Sequence, residues 1–589
     1  MIDILQYIGA RYVPKFMGTW SNTTVYEALS VVDDGLGTSY ISGIPVPAGT
    51  PLTNTDYWHL YGATSGAIIN LQNQIDKITE AFITPEMYGA VGDGITDDTA
   101  AIQAAIDSSN DCIVFTGTYL VKTDTGEAPL TDGQDYSTYA IKITSPKTLI
   151  FRGAKVKGYH NLVSTTDAYF ITTNSALTVI GLDYDGQRPT YQYQYGIQFN
   201  ASDCILKDCI FQNLGGSFAV FNGQKNTRIE NITVNNIWAD NVGNSMFFAW
   251  CDYVDISDIH LHNASEGFDF DKYSTNVNID GVTANVARGG GADALIEING
   301  GKKFNISNIV AYDYCDGILL NGKTWDGVDY ITEDININNC TFDTITGYGI
   351  LGGNAIAGVQ EVKNVKISNV NVHAATLAGF EIVGENISLD NCEATGCNYM
   401  ALFITTKAKN ITINNFFSKN NTRGLIDCSI CEGLLTLSNI IDDETGHVGY
   451  TNQISGYEHL KISNLQVLNE DQADFSGVNN RMFRIAESSG IADIDGFITS
   501  QLATAQVIIT DATKRHISNS QLNNGTWSYS APDVIFSKSA FNDISGAIGV
   551  NTGTIVICIP TYTTAEMHLC VRGNIATSDT VEWKQITLA

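Results

Sequence analysis

The chain has 589 residues, of which 63 are acidic and 32 are basic, and its formal net charge is −31. A charge this negative argues against binding to the phosphate backbone of nucleic acids. Twelve cysteines scattered through the chain do not make a disulfide scaffold, and the length indicates more than one domain. The first residues lack the basic and apolar regions of a secretory signal, and no apolar run is long enough to span a bilayer.

Two small elements are predicted at the start of the chain. Residues 1–62 combine many aromatic residues with turn formers and predict a small β module. Residues 63–83 predict a short coiled-coil-like helix, because apolar residues recur there at spacings of three and four. Isoleucine at most of these core positions favours a trimer, and a linker helix packed on its own chain is the alternative. The core positions are Ile68, Leu71, Ile75, Ile78 and Phe82.

A strand, a tight turn and a short helix come next, with the helix near residues 97–108. Asp97 or Thr96 can cap its free amides, and Ile102 and Ile106 lie four residues apart on one face. The open end of a stacked β structure exposes apolar core and unpaired strand edges. We therefore expect this helix to close that end.

Fourteen copies of a short phrase recur along residues 177–520 and fix the predicted fold of the solenoid domain, residues 84–544. Two apolar residues flank one polar residue, and Asn, Asp or Gly follows, as in Val254-Asp255-Ile256-Ser257-Asp258. Repeats spaced 22 to 32 residues apart indicate a solenoid, and alternation of period two indicates strands. Asn, Asp and Gly tolerate the left-handed backbone of a tight corner. The turn residues are Gly181, Asp208, Asn231, Asp258, Gly281, Asn308, Asn339, Asn369, Asn391, Asn415, Asn439, Asn464, Gly496 and Asn519.

The best fit to these repeats is an all-β chain built on a right-handed, single-stranded parallel β-helix. A second strand aligns in each coil, as in Phe268-Asp269-Phe270 and Ile296-Glu297-Ile298. Its flanking residues are predicted to point inward and stack, and its middle residues to point outward and form a face that can bind a ligand. Cys209, Cys340 and Cys392 each follow a turn residue, where a small buried side chain fits the interior.

The repeat fades after residue 520, and residues 545–589 predict a separate small β module. Three roles stay open for it: closing the far end of the solenoid, holding a trimer together, or binding carbohydrate.

The segment Tyr88–Asp107 closely resembles the opening signature of the pectate-lyase-like superfamily, which includes phage tailspikes, polygalacturonases and related polysaccharide enzymes. Residues 7–62 resemble, more loosely, the N-terminal virion-attachment modules of phage tail proteins. The resemblance implies a homotrimeric tailspike or tail appendage, anchored to a phage tail protein and made in the host cytoplasm. Its β-helix would bind, and often cleave, a host surface polysaccharide, without membrane insertion or nucleic-acid binding.

The standard chemistries of this superfamily lack their motifs here. Asn-Thr-Asp, Gly-Asp-Asp, Gly-His-Gly and Arg-Ile-Lys, which are typical of the polygalacturonase branch, do not occur within the repeats. The acidic calcium cage and basic partner of the pectate lyases are not identifiable either. The alignment of strands must therefore supply the candidate site.

Acidic residues gather on the outward face of neighbouring coils. Asp269 and Glu297 occupy matching positions about 4.8 Å apart, and Asp271 lies about 7 Å along the strand from Asp269. Two carboxyl groups about 5–5.5 Å apart suit a retaining glycosidase, and a separation of about 6.5–9.5 Å suits an inverting one. Asp316 is a further catalytic candidate and Glu266 a substrate-binding candidate, because both lie at nearby strand starts. Solvated carboxylates without a catalytic role are the alternative.

Three aromatic residues near this cluster, Trp250, Tyr273 and Trp325, are predicted to stack on sugar rings, with packed loop residues as the alternative. The favoured function is hydrolysis of a host polysaccharide without metal or other cofactor. A polysaccharide lyase, for which calcium is possible, and a non-enzymatic adhesin or structural appendage are the alternative hypotheses.

Overall fold

A computed structural model of the chain describes most of the molecule, and the chain divides into two units, Met1–Ile83 and Thr84–Ala589. The described residues are 14–36, 38–61, 82–124, 126–128, 137–160, 167–188, 190–191, 193–237, 244–264, 266–285, 294–325, 327–352, 362–405, 408–443, 452–468, 481–486, 490–499, 506–509, 514–518, 520–522, 526–529, 534–537, 540–541, 555–561, 564–572 and 582–586.

The first unit contains a four-stranded sheet in the order β1-β2-β3-β4. Its core is a cluster of Tyr26, Val32, Val46 and Trp58, in which the rings of Tyr26 and Trp58 meet edge to face at 5.2 Å. The coiled-coil-like helix predicted at 63–83 falls almost entirely on residues 62–81, which lie outside the described residues. The strands are β1 (Lys15–Thr19), β2 (Ser30–Asp33), β3 (Ser39–Ser42) and β4 (Trp58–Leu60).

The second unit is built on the predicted right-handed parallel β-helix. Each coil hydrogen-bonds to the next in parallel register, which is the pairing that stacks identical positions of successive repeats. Its strands are β5 (Asp93–Asp97), β6 (Cys112–Phe115), β7 (Thr118–Lys122), β8 (Gly126–Ala128), β9 (Ser137–Ile143), β10 (Lys147–Phe151), β11 (Lys155–Tyr159), β12 (Ala168–Thr173), β13 (Leu177–Ile180), β14 (Asp183–Asp185), β15 (Gln194–Phe199), β16 (Ile205–Leu214), β17 (Ala219–Asn222), β18 (Lys225–Ile237), β19 (Asn244–Ala249), β20 (Asp252–His262), β21 (Glu266–Asn285), β22 (Ala294–Tyr312), β23 (Asp316–Asn321), β26 (Thr332–Asp343), β27 (Ile350–Gly352), β28 (Val362–His373), β29 (Phe380–Ile382), β30 (Glu385–Thr395), β31 (Met400–Ile404), β32 (Ala408–Lys419), β33 (Gly424–Cys428), β34 (Cys431–Asp443), β35 (Asn452–Ser455), β36 (Tyr457–Leu468), β37 (Arg481–Ala486), β38 (Ile491–Thr499), β39 (Gln506–Ile509), β40 (Lys514–Ser518), β41 (Gln521–Leu522), β42 (Thr526–Tyr529), β43 (Val534–Ser537) and β44 (Ala540–Phe541).

Two further groups of strands lie outside the coils. A hairpin of β24 (Lys323–Trp325) and β25 (Val328–Tyr330) projects between β23 and β26. After the last coil, β45 (Ile555–Thr561), β46 (Thr564–Arg572) and β47 (Glu582–Ile586) form a separate antiparallel sheet.

The corners of the coils follow the predicted pattern. Thirteen of the fourteen predicted turn residues have φ between 50° and 76°, in the left-handed region, and the fourteenth, Asn519, lies outside the described residues. The asparagine side chains also hydrogen-bond from coil to coil, as where Asn391 Nδ2 donates to Asn369 Oδ1 at 2.6 Å. Asn and Asp are therefore used here both for the left-handed backbone and for contacts between coils.

The interior is filled by residues that stack in register. Phe199, Phe221, Phe248 and Phe270 form a ladder with ring centroids 4.6, 4.9 and 4.5 Å apart. Each ring is fully buried, and burial of one such side chain contributes about 1.5–3 kcal/mol. The predicted inward direction of these flanking residues is thus confirmed, and Cys209, Cys340 and Cys392 are buried as well.

A short helix, α1 (Thr99–Ile106), lies beside the first coils, where Ile102 and Ile106 are buried. Gln103 exchanges two hydrogen bonds of 2.9 Å with the backbone of Lys142 in β9, so the helix satisfies polar groups of that strand. At the helix start, Asp97 accepts the Thr99 N–H at 3.1 Å, whereas Thr96 contributes no such bond. A 3₁₀ helix, Pro85–Tyr88, precedes it.

Candidate active site

The parallel register places the two principal acidic candidates opposite each other. Asp269 in β21 pairs with Glu297 in β22, and Asp271 pairs with Asn299. Because Phe268 and Phe270 point into the core, Asp269 points away from it, as period-two alternation requires. The predicted column of outward carboxyl groups therefore exists in the fold.

The expectation that this face is open to solvent is wrong for most of the acidic residues. Asp269 is 8 % exposed, and Asp271 and Glu266 are each 7 % exposed. Only Glu297 is half-buried. Side chains from neighbouring coils and from the β24–β25 hairpin cover the face, which the alternation of residues alone does not reveal.

An amide links the two carboxyl groups. Asn299 Nδ2 donates to Glu297 Oε1 at 2.8 Å and lies 3.3 Å from Asp269 Oδ1. Its oxygen accepts a hydrogen bond of 3.2 Å from Asn321 Nδ2 on the next coil, which fixes the orientation of the amide. Sequence reasoning missed Asn299, although its position, two residues after Glu297, puts it on the same face.

Burial and neighbouring charge favour the neutral form of the Asp269 carboxyl group. Burial raises the pKa of Asp269 well above its usual value, and the carboxylates of Asp271, Glu297 and Glu266 raise it further. Burial also raises the pKa of Asp271, although the ammonium of Lys323 opposes that shift. A protonated carboxyl group beside a second carboxyl group is the pairing that acid–base chemistry needs at neutral pH.

Two lysines that sequence reasoning overlooked lie beside the acids. Lys323 Nζ lies 3.6 Å from Asp271 Oδ1 and 4.3 Å from the centroid of the Trp325 ring. Lys272 is buried, with its Nζ 4.6 Å from the Trp250 ring and 5.5 Å from the Trp325 ring. Both tryptophans thus lie next to the acidic cluster, as predicted, but they also contact ammonium groups.

The remaining predicted residues divide between two places. The ring of Tyr273 lies 5.4 Å from that of Tyr330 on the hairpin, close to the lysines. Asp316, by contrast, pairs in register with Ala294, three residues before Glu297 on β22. Its Oδ1 accepts the backbone N–H of Tyr348, so Asp316 does not belong to the cluster around Asp269.

Asp316 instead belongs with Glu381. The phenol of Tyr348 hydrogen-bonds to Glu381, and burial, together with the Asp316 carboxylate, raises the pKa of Glu381 to about 7. Glu381 is three coils beyond Glu297 in the column, through Leu319 and Leu351. That separation, about 14 Å by strand spacing, keeps Glu381 out of the first cluster, as predicted.

The described residues contain no group of three or more His, Cys, Asp or Glu side chains arranged around a possible metal position. Within the part of the chain that the structure describes, no helix has the length and apolar character needed to cross a bilayer.

Part of this solenoid is similar in sequence to a known family. Residues 83–292 match the family described as rhamnogalacturonase A/epimerase, pectate lyase-like. A capsule K30/K69-specific depolymerase of Klebsiella phage K64-1 is 28% identical over 239 residues. The match covers 31% of this chain and 29% of that protein, so the chain spans less than a third of the relative's length.

Several solved structures are similar to this chain at low sequence identity. A mutant tailspike protein of E. coli bacteriophage HK620, in complex with a pentasaccharide, is 12% identical, with a TM-score of 0.46 over 88% of this chain and 86% of that one. PfbA, a surface adhesin of Streptococcus pneumoniae, is 13% identical, with a TM-score of 0.37 over 66% of this chain and 90% of that one.

Proposed function

We propose that this chain, which carries a pectate-lyase-like β-helix, is a phage tailspike or tail-appendage protein that binds a host surface polysaccharide and depolymerises it. The printed activity of the Klebsiella phage relative, a capsule depolymerase, supports this class of substrate. The observation that carries the enzymatic part is the register of Asp269 against Glu297, with Asn299 between the two carboxyl groups.

The pair fits hydrolysis of a glycosidic bond with retention. Adjacent strands lie about 4.8 Å apart, close to the carboxyl separation of about 5–5.5 Å in retaining glycosidases. Asp269, whose pKa is raised, gives its proton to the leaving oxygen while a Glu297 oxygen bonds to the anomeric carbon and the glycosidic bond breaks. Water then replaces Glu297 at that carbon and returns a proton to Asp269, so both residues regain their first state.

Asp271 offers a second arrangement within the same cluster. Asp271 lies two residues along the strand from Asp269 and is therefore diagonally opposite Glu297. The resulting separation between the carboxyl groups of Asp271 and Glu297 suits an inverting pair. The Lys323 ammonium, 3.6 Å from Asp271, favours the ionised form of that carboxyl group and opposes the rise in its pKa that burial causes.

A lyase is the second candidate function, because the structure provides the basic residues that the sequence did not reveal. Elimination requires a base that removes a proton next to a carboxyl group, and Lys272 and Lys323 both lie against Trp325 beside the acids. Such a reaction leaves a double bond in the product, which absorbs in the ultraviolet, whereas hydrolysis does not.

The test is to incubate the purified chain with a panel of capsular polysaccharides that includes the Klebsiella K30 and K69 types, and then to size the products. Hydrolysis predicts shorter chains with new reducing ends and no ultraviolet absorbance. Asp269→Asn and Glu297→Gln should each abolish reducing-end release while binding survives. Asp255→Asn, the same change at an exposed carboxylate of a nearby coil, should have no effect.

The other outcomes would each contradict hydrolysis at Asp269 and Glu297. Ultraviolet absorbance in the products would overturn the hydrolase in favour of the lyase. Binding without any shortening of the polysaccharide would identify the chain as an adhesin. Full activity in Asp269→Asn would show that the active site lies elsewhere in the molecule.

The remaining parts of the proposal concern assembly. Residues 1–62 would attach the protein to a phage tail protein, and the chain would act as a homotrimer on the virion. The small sheet β45–β47 would close the solenoid, hold the trimer together or bind carbohydrate.

A further inference from the structure

A second cluster of polar and aromatic side chains lies on the same face of the solenoid, beyond the pair Asp269 and Glu297. Tyr348 is its centre, because its backbone N–H donates to Asp316 while its phenol hydrogen-bonds to Glu381. One residue thus holds two carboxyl groups that come from different coils. The ring of Tyr348 also packs on Leu319 and Leu351, which are 5 % and 6 % exposed.

An aromatic and guanidinium surface continues from Glu381. Phe403 is the next residue in register after Glu381, and Asp427 follows Phe403. The Tyr399 ring meets Phe403 edge to face at 5.6 Å, and the Arg423 guanidinium lies 4.4 Å from the Tyr399 centroid. All of these side chains are partly exposed, so a ligand that lies on this face can contact them.

This combination is unlike a purely acidic patch. It offers carboxyl acceptors, a phenol, a guanidinium donor and two ring surfaces within adjacent coils. Rings with a few convergent polar groups are what a ligand of alternating apolar faces and hydroxyl groups requires. A sugar chain has that chemistry, because each ring presents C–H faces and a rim of hydroxyl groups.

We propose that Tyr348, Glu381, Tyr399, Phe403 and Arg423 form a second sugar-binding site, which holds a distal part of the same glycan that reaches Asp269 and Glu297. The inference rests on the proposed function and extends it to the length of the substrate. Hereafter these five residues are called the distal site.

The spacing of coils sets the reach of such a glycan. Glu381 lies three strand spacings from Glu297, about 14 Å, and Phe403 lies four, about 19 Å. A ligand that contacts both clusters must therefore span several sugar units and pass over Tyr348. Short fragments can reach only one cluster.

The protonation of Glu381 fits a role in contacting hydroxyl groups. With a pKa of about 7, its carboxyl group is protonated part of the time at neutral pH and can donate as well as accept. The groups that face it are the Asp316 carboxylate and the phenol of Tyr348. Arg423 instead interacts electrostatically with Asp427. Burial raises the pKa of Asp427, and the Arg423 guanidinium opposes that rise.

The experiment measures binding rather than cleavage, on partially acid-hydrolysed Klebsiella K30 and K69 capsular polysaccharide separated into long and short fragments. Phe403→Ala should weaken binding of long fragments about five- to tenfold, the effect of losing one aromatic contact, and weaken short-fragment binding less, because a short fragment can also bind at Asp269 and Glu297. Tyr348→Phe keeps the ring over the leucines but removes the hydroxyl group. It should weaken long-fragment binding less than Phe403→Ala does. Phe417→Ala, at a half-buried phenylalanine of β32 on another face of the solenoid, is the matched control.

Thermal unfolding of each variant separates a lost contact from a lost fold. Equal loss for long and short fragments, or no loss in Phe403→Ala, would overturn the distal site and leave the proposed function standing. Failure of the unaltered chain to bind fragments of either length would overturn the proposed function together with the distal site.

Discussion

Asn299 shows how one neutral side chain can organise two acidic ones. Its Nδ2 approaches Glu297 Oε1 and Asp269 Oδ1 at 2.8 and 3.3 Å, and Asn321 holds its oxygen. An amide at this position supplies a donor to both carboxyl groups without adding a charge. Burial and the neighbouring carboxylates raise the pKa of Asp269.

Glu381 gives a prediction for stability against pH. Its pKa rises from 4.5 in the unfolded chain to about 7 in the fold, chiefly through burial. Between these values the folded chain binds more protons than the unfolded chain, so this group lowers stability as pH rises from about 4.5 to about 7. Glu381→Gln removes the ionised form and should therefore raise the melting temperature relative to the unaltered chain at about pH 8, but not at about pH 4.

The measurement is a pair of melting curves for both proteins at each pH, followed by circular dichroism. Glu393→Gln, at a half-buried carboxyl group of β30, serves as the control, and no comparable rise in melting temperature is expected there. A difference between Glu381→Gln and the unaltered chain that stays constant from about pH 4 to about pH 8 would contradict the raised pKa.

Among the elements, the strand-and-corner pattern was the most predictable, because its causes are local. Asn369, Asn391 and Asn464 adopt the left-handed backbone that their residue type permits, and the flanking residues alternate at period two. The matching of Asp269 with Glu297 followed directly from this repeat.

The surroundings of the site were not predictable in the same way. Lys323 and Trp325 belong to a hairpin inserted between two coils, and no repeat fixes where that hairpin lies. The burial of Asp269 depends on these neighbours, so alternation predicted the direction of its side chain but not its exposure. Asp316 was misplaced for a related reason, since its partner Tyr348 lies outside the repeated phrase.

The start of the solenoid gives a prediction about the turn that precedes α1. Asp98 is 1 % exposed, and its carboxylate accepts the backbone N–H groups of Val91 and Gly92 at 2.6 and 3.2 Å. Asp98→Ala removes the acceptor of both N–H groups, which lie in a partly buried position, and should cost about 1.5–3 kcal/mol. Asp98→Asn keeps one acceptor and should cost less.

Hydrogen exchange of residues 85–106, together with thermal unfolding, measures this effect. Asp107→Ala, at the exposed end of α1, should change stability by less than about 0.5 kcal/mol. Unchanged protection in Asp98→Ala would show that the bonds to Val91 and Gly92 do not hold the helix and the preceding turn together.

At the scale of the whole molecule, the charge of −31 acts on folding as well as on partners. Like charges distributed over a long solenoid repel one another in the compact state, and salt shortens the range of that repulsion from about 30 Å at 0.01 M to about 8 Å at 0.15 M. The melting temperature should therefore rise between about 10 mM and about 150 mM sodium chloride. Sucrose at matched osmolality is the control for effects other than screening. A melting temperature that stays level or falls with salt would show that the ion pairs of this solenoid stabilise the fold more than its net repulsion destabilises it.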